Sequence, residues 1–279
     1  MPCCTSTTVT APLWKSIRLT RAPSPQPLVK QIARFIRSIT PVALRRLICR
    51  TGEYFGRGVD VQYPSIEGSL GTLHRLGLRP RFCIDVGACD GDWTQMFKSI
   101  FPDARVLMIE AQENKRPILQ AVASSCPGDI GVEIALLGPT EGQAVTFMEM
   151  NTGSSVFPEA SSCPRRAVEK TTRSLDALLA SGKHPAADFL KLDVQGYELE
   201  VLKGAATTLR GVSAVLMEAS FVPVNAGCPL ISEVIAFMDS SGFRLFDFCS
   251  QIRITHGVLW QTDLLFVRTD SAVLPPAKL

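Results

Sequence analysis

From about residue 66 the chain alternates helical and strand-like patterns in regular order. Ile66 to Leu76 repeats apolar residues at helical spacing, and Arg81 to Val86 is a short apolar run that predicts a strand. A glycine turn over 87–91 and a helix over Trp93–Ile100 follow. Arg105–Ile109, Gly131–Leu136, Phe189–Val194, Ala214–Met217, Phe243–Phe248 and Leu264–Val267 read as further strands. Helices are predicted over Pro117–Ser124, Glu198–Leu209 and Leu230–Ser241. Short apolar strands separated by amphipathic helices predict an α/β fold, a parallel sheet covered on both faces. Residues 138–173 interrupt the alternation with Gly, Ser, Thr, Pro and one strand-like run, Ala144–Met150, so they read as an insertion between strands three and four. Residues 249–262 carry no helical pattern, so the last two of seven strands are expected to be antiparallel neighbours.

The start of the chain has another character. Residues 1–27 are rich in Thr, Ser and Pro. In 28–39, Leu28, Val29, Ile32, Phe35, Ile36 and Ile39 fall on one helical face and Lys30, Arg34 and Arg37 on the other. This basic amphipathic helix fits peripheral contact with a membrane surface, and fits equally a helix packed on its own domain. Ten basic residues and a single acid give 1–58 a charge of +9, against −6 for the remainder. The expected organisation is a basic extension over 1–58, a catalytic-sized domain over 59–270 and a tail over 271–279. No run reaches the roughly 18 apolar residues a spanning helix needs, and a Ser/Thr-rich, Arg-bearing leader also matches a transit peptide. The expected location is the cytoplasm, with the helix 28–39 as the candidate membrane contact. A mildly acidic globule excludes a broad nucleic-acid surface. Nine scattered cysteines without a CxxC, beside three histidines, offer neither a zinc site nor a disulfide framework.

Three motifs carry chemistry. In Phe82-Cys-Ile-Asp85-Val-Gly87-Ala-Cys89-Asp90-Gly91 a strand meets a glycine turn that opens a helix, which aims backbone N–H groups at a ligand. The dinucleotide fingerprint needs a middle glycine for the pyrophosphate, and this turn has only Gly87 and Gly91, which argues against an NAD(P) oxidoreductase. Asp85, two residues before Gly87, suits a ligand bearing an ammonium group, as S-adenosylmethionine does. Glu110 ends the second strand, where a carboxylate can accept two hydrogen bonds from ribose hydroxyls. The run from Asp188 to Gly204 sets Lys191 and Asp193 on one face of the fourth strand, with Asp193 at the carboxyl edge where α/β sheets bind ligands.

These motifs, with Thr152-Gly-Ser-Ser155, Leu175-Asp176, the stretch Leu190–Ala205, Met217-Glu218 and Gln261–Arg268, occur in the order that resembles the FkbM family of S-adenosylmethionine-dependent methyltransferases. The resemblance covers roughly 80–268. It implies a class I methyltransferase fold, a Rossmann-like seven-stranded sheet with its last strand antiparallel. It also implies O-methylation of a hydroxyl on a sugar, glycan or natural product. The cofactor, S-adenosyl-L-methionine, is assigned to Asp85, Gly87, Gly91, Glu110 and Ala135. The catalytic candidates are Asp193, Glu218 and His256, whose ordinary pKa suits a base near neutrality. Ser154, Ser155 and Trp260 are the acceptor-binding candidates, with Asn151 beside them. Asp193, Glu218 and Asp263 could together hold a divalent cation that lowers the acceptor hydroxyl's pKa; the plainer reading is three separately paired acids, and no metal is assigned. Two positions depart from the family's usual pattern: Cys89 where Asn is usual, and Ala111 after the second-strand acid where Pro is usual. The competing reading is a non-catalytic module that binds the nucleoside or docks a partner.

Overall fold

The computed structural model describes residues 64–274 apart from 151–152, 158–164, 183 and 224. The basic extension, its helix 28–39 and Asn151 therefore lie outside the described residues. Helix α1 (Ile66–Arg75) is capped by Ser65, whose hydroxyl accepts from the Gly68 N–H at 3.0 Å. Strand β1 (Phe82–Val86) is buried along its whole length, as a central parallel strand must be. Helix α2 (Asp92–Ile100), β2 (Arg105–Glu110), α3 (Arg116–Ser125) and β3 (Ile130–Ile134) complete the first half.

The insertion builds a small second sheet from β4 (Leu136–Leu137), β5 (Ala144–Glu149) and β6 (Arg166–Arg173), in the order β4-β6-β5. Strand β6 carries no apolar alternation, and Thr172 is its one buried residue. Helix α4 (Leu175–Ser181) leads to β7 (Phe189–Leu192). The single helix expected over 198–209 is two, α5 (Glu198–Lys203) and α6 (Ala206–Gly211). The break falls at Gly204, where an added Cβ would lie 2.2 Å from the Gly138 carbonyl oxygen, so the insertion's backbone sits where a side chain would be. Asp176 of α4 caps the second piece, accepting from the Thr207 and Thr208 N–H groups at 2.7 and 2.8 Å.

Strand β8 (Ala214–Ser220), helix α7 (Ile231–Ser240), β9 (Phe243–Phe248), β10 (Ile252–Arg253) and β11 (Leu259–Arg268) finish the chain. The main sheet runs β3-β2-β1-β7-β8-β11, and β9 and β10 both pair with β11 along its outer edge. Strand β11 is antiparallel to β8 and to β9, and the other central pairs are parallel. This is the seven-lane architecture expected. The segment expected as a plain loop is instead a hairpin, because β11 starts five residues earlier than its apolar run and pairs with β10.

Side-chain parity divides the core. Ile84, Ile109, Leu190, Leu192, Val215 and Met217 face α4–α7, whereas Cys83, Met108, Phe189, Leu216 and Leu265 face α1–α3. Chain order reverses between β1 and β7, and their carboxyl ends part there, leaving the crevice where such sheets bind ligands. Among the described residues no helix is long and apolar enough to cross a membrane.

Candidate active site

The turn after β1 is fixed from both sides. The Gly87 and Ala88 N–H groups donate to the Ile109 carbonyl at 2.9 and 3.2 Å. Gly87 has φ +75°, and an added Cβ would stand 1.9 Å from the Asp193 carbonyl oxygen. Only glycine supplies that backbone and that clearance. Cys89 is a non-glycine residue at φ 49°. Its left-handed backbone is the conformation Asn tolerates best, which accounts physically for the residue usual at this position.

That geometry aims the Cys89 N–H at Glu110 Oε2, 2.9 Å away, while the Gln112 N–H donates to Oε1 at 3.0 Å. Glu110 is buried, yet it lines a cavity of about 820 Å³ of empty space continuous with solvent. Each carboxylate oxygen accepts one backbone hydrogen bond and retains a lone pair for a ligand hydroxyl. Ile109, Ala135, Leu136, Leu137 and Phe147 give the same cavity an apolar wall. A flat heterocycle with a vicinal diol fits this donor set. The residues thus fit S-adenosylmethionine, with Glu110 for its ribose and the Gly87–Gly91 turn beneath it.

The opposite wall comes from the end of β7. Asp193, Val194, Gln195 and Tyr197 line the cavity. Behind them, Lys191 Nζ lies 3.0 Å from Asp85 Oδ1 and 3.8 Å from Asp193 Oδ2, and donates to the Gly87 carbonyl at 2.9 Å. Burial works against the Lys191 charge, but Asp85 and then Asp193 outweigh it and raise its pKa. Glu198 is fully buried and accepts from the Val194 and Gly196 N–H groups at 2.9 and 3.2 Å, which fixes the turn after β7. Burial pushes its pKa up to about 7. Glu218 and Asp263 face each other across β8 and β11. Burial, then repulsion from Asp193, Glu198 and Asp263, pushes Glu218 up to about 9. Burial also raises Asp263. Among the described residues no group of three His, Cys, Asp or Glu side chains is arranged to hold a metal ion.

The sequence candidates therefore divide. Gly87, Glu110, Ala135, Ser154 and Asp193 meet around the cavity. Asp85 does not line it. Its Oδ2 accepts from the Thr94 hydroxyl at 2.7 Å, and its Oδ1 meets Lys191 off the line of a hydrogen bond. It braces the turn from below, and Asp193 is the carboxylate at the end of β7 that lines the cavity. Gly91 begins α2 at φ +79°, with Val122 3.1 Å from any added Cβ. Ser155 is buried, and its hydroxyl donates to the Gln195 carbonyl at 2.9 Å. Ser154 closes its own turn, accepting from Met150 N and donating to Met150 O, both at 2.8 Å. Trp260 is half-buried beside the end of β8, where its carbonyl accepts from the Phe221 N–H at 2.8 Å. His256 is exposed at the tip of the β10–β11 hairpin, at φ 64°. Neither borders the cavity, and Glu218 stands one strand behind it. Gln112, Gln195 and Tyr197 also line the wall and were not among the candidates named from the sequence. Gly196 was the sequence's signal for a sharp turn, and it stands at φ +98° beside Gln195 at φ 55°.

A family profile described as Methyltransferase FkbM domain matches residues 85–245, more than half of the chain. The chain belongs to that family. The hexuronic acid methyltransferase AglP of Haloferax volcanii is 47% identical over 47 residues, 17% of this chain and 20% of that protein. The alignment thus spans a fifth of that relative's length. A precorrin-6y C5,15-methyltransferase from Geobacter metallireducens superposes with TM-score 0.42 at 10% identity, covering 72% of this chain and 88% of that one. A magnesium protoporphyrin IX methyltransferase from Synechocystis, solved with S-adenosylmethionine, gives TM-score 0.43 at 12% identity over 73% and 76%.

Proposed function

We propose that this chain is an S-adenosylmethionine-dependent O-methyltransferase acting on a hydroxyl of a sugar, glycan or natural product. The observation that carries the reading is Glu110: a buried carboxylate, oriented by two backbone N–H groups, with its remaining lone pairs on an apolar-walled cavity. When bound, S-adenosylmethionine supplies a methyl group already activated on a sulfonium. Glu110 would hold the ribose, and Ile109, Ala135 and Leu136 would line the apolar space open to the base. Asp193, on the far wall, is placed to orient the acceptor hydroxyl and take its proton. Lys191 keeps Asp193 from drifting and ties it to the Gly87 turn. The partial likeness to a hexuronic acid methyltransferase favours a sugar acceptor. There is no Asn/Asp-Pro-Pro-aromatic run after β7 to cradle an amine, which favours oxygen over nitrogen as the acceptor atom.

The test is calorimetry of the full chain with S-adenosylmethionine, then transfer of isotope-labelled methyl to a panel of hexuronates, hexoses and polyketides. Binding with transfer to a hydroxyl supports the proposal. Binding with no transfer to any member supports the non-catalytic alternative, and absence of binding overturns both.

A further inference from the structure

Gln195 ties the end of β7 to β8, to the insertion and to the loop after β8. Its Nε2 donates to Asp193 Oδ1 at 3.0 Å and reaches Glu218 Oε1 at 3.4 Å. Only the amide's NH₂ end can face two carboxylates, so the chemistry of the pair fixes the amide's orientation. Its main-chain carbonyl accepts from Ser155 Oγ of the insertion at 2.9 Å and from Asn225 Nδ2 of the loop after β8 at 3.0 Å. The residue achieves this at φ 55°, a strained backbone for a side chain of this kind. The second glutamine on Glu218, Gln261, donates to the same Oε1 at 2.5 Å. One oxygen of Glu218 thus accepts from two amides, which fixes its carboxyl group between Gln195 and Gln261.

We propose that Gln195 is a positioning residue, whose carboxamide ties the cavity-lining Asp193 to Glu218 behind it and so holds Asp193 aimed at the acceptor. The methyltransferase reading enters only in what Asp193 then does; the bridge itself stands on the hydrogen bonds. The charged groups around the pair are Lys191 from β7, Asp85 from β1, Glu198 from α5 and Asp263 from β11. Lys191 lies nearest Asp85 and Asp193. The neighbours of Glu218 are mostly acids, which agrees with its pKa of about 9.

The experiment is nuclear magnetic resonance on the full chain, following the Gln195 side-chain amide and the Asp193 carboxyl carbon across pH 6–10. The Gln195 amide signal is expected to titrate with a midpoint near that of Glu218, about 9. That titration is expected to vanish in Glu218→Gln. Gln195→Asn keeps a residue suited to positive φ but is one methylene too short to span the acids. In it the Asp193 carboxyl signal is expected to shift and broaden. A Gln195 amide insensitive to both pH and Glu218→Gln would overturn the proposal, as would an unmoved Asp193 signal in Gln195→Asn. Failure of the wild-type chain to bind S-adenosylmethionine would instead count against the cofactor reading and leave these signals to decide the bridge.

Discussion

The two walls of the cavity are built from the same material, the carboxyl ends of parallel strands, yet they handle acids in opposite ways. On the β1–β2 side a single carboxylate, Glu110, is oriented by backbone N–H groups of neighbouring turns. Behind the β7 side Asp193, Glu218 and Asp263 gather around Lys191, and burial raises Glu218 and Asp263. Backbone donors orient a carboxylate to receive hydroxyls. Mutual repulsion under burial suits groups that trade a proton. We read the first side as a binding wall and the second as a proton-handling wall, joined where Gly87 packs against the Asp193 carbonyl.

The largest effect is expected where the walls touch. Gly87→Ala forces a Cβ into the Asp193 carbonyl at a positive φ. It is expected to cost about 2–6 kcal/mol of stability, from backbone strain and overpacking together, read by urea unfolding. Wild-type stability in that variant would break the link between the walls.

Next comes the proton-handling wall. Asp193→Asn is expected to lower methyl transfer about 10²-fold or more while sparing cofactor affinity. Because Asp85 holds Lys191 at the shorter distance, the fold should survive the change. A main defect in melting temperature would make Asp193 a structural partner of Lys191 instead.

Glu218 sharpens the contrast through pH. An acid that stays protonated in the fold but ionises when unfolded binds its extra proton only in the native state. Its contribution to stability is therefore complete below the ordinary value of 4.5 and is lost as pH rises toward about 9. Glu218→Gln is expected to remove this loss, raising the melting temperature at pH 8.5 relative to wild type more than at pH 5. For a domain this size each kcal/mol is worth about 2–4 °C. The smallest effect is expected on the binding wall's backbone. Cys89→Asn places a residue better suited to φ 49° and is expected to stabilise by a few tenths of a kcal/mol, roughly the scale of a favourable backbone substitution, measured by denaturant midpoint.

How much of this was legible in the sequence follows the same division. Strands β1, β2, β7 and β8 could be read because they are buried on both faces and are mostly apolar, with one or two charged residues each. Strand β6, Arg166-Ala-Val-Glu-Lys-Thr-Thr-Arg173, could not, since it is mostly exposed and its pairing with β5 is set by tertiary context. The break at Gly204 depends on a backbone from 66 residues earlier in the chain, which local helical periodicity cannot register. At the site, Glu110 and Asp193 were legible because position at a strand end determines where they lie. The roles of Asp85 and Gln195 were not, because they depend on which side chain reaches which partner across the sheet. His256 and Trp260 were placed at the right edge by topology, but the hairpin that carries them extends beyond the cavity.

The central claim is that Glu110 on the binding wall holds the ribose of S-adenosylmethionine. Isothermal calorimetry of the full chain and of Glu110→Ala with S-adenosylmethionine tests it most directly. Loss of one charged acceptor for two hydroxyls should cost roughly 1.5–3 kcal/mol, about ten- to hundredfold in affinity. Wild-type affinity in a folded Glu110→Ala chain would contradict the account.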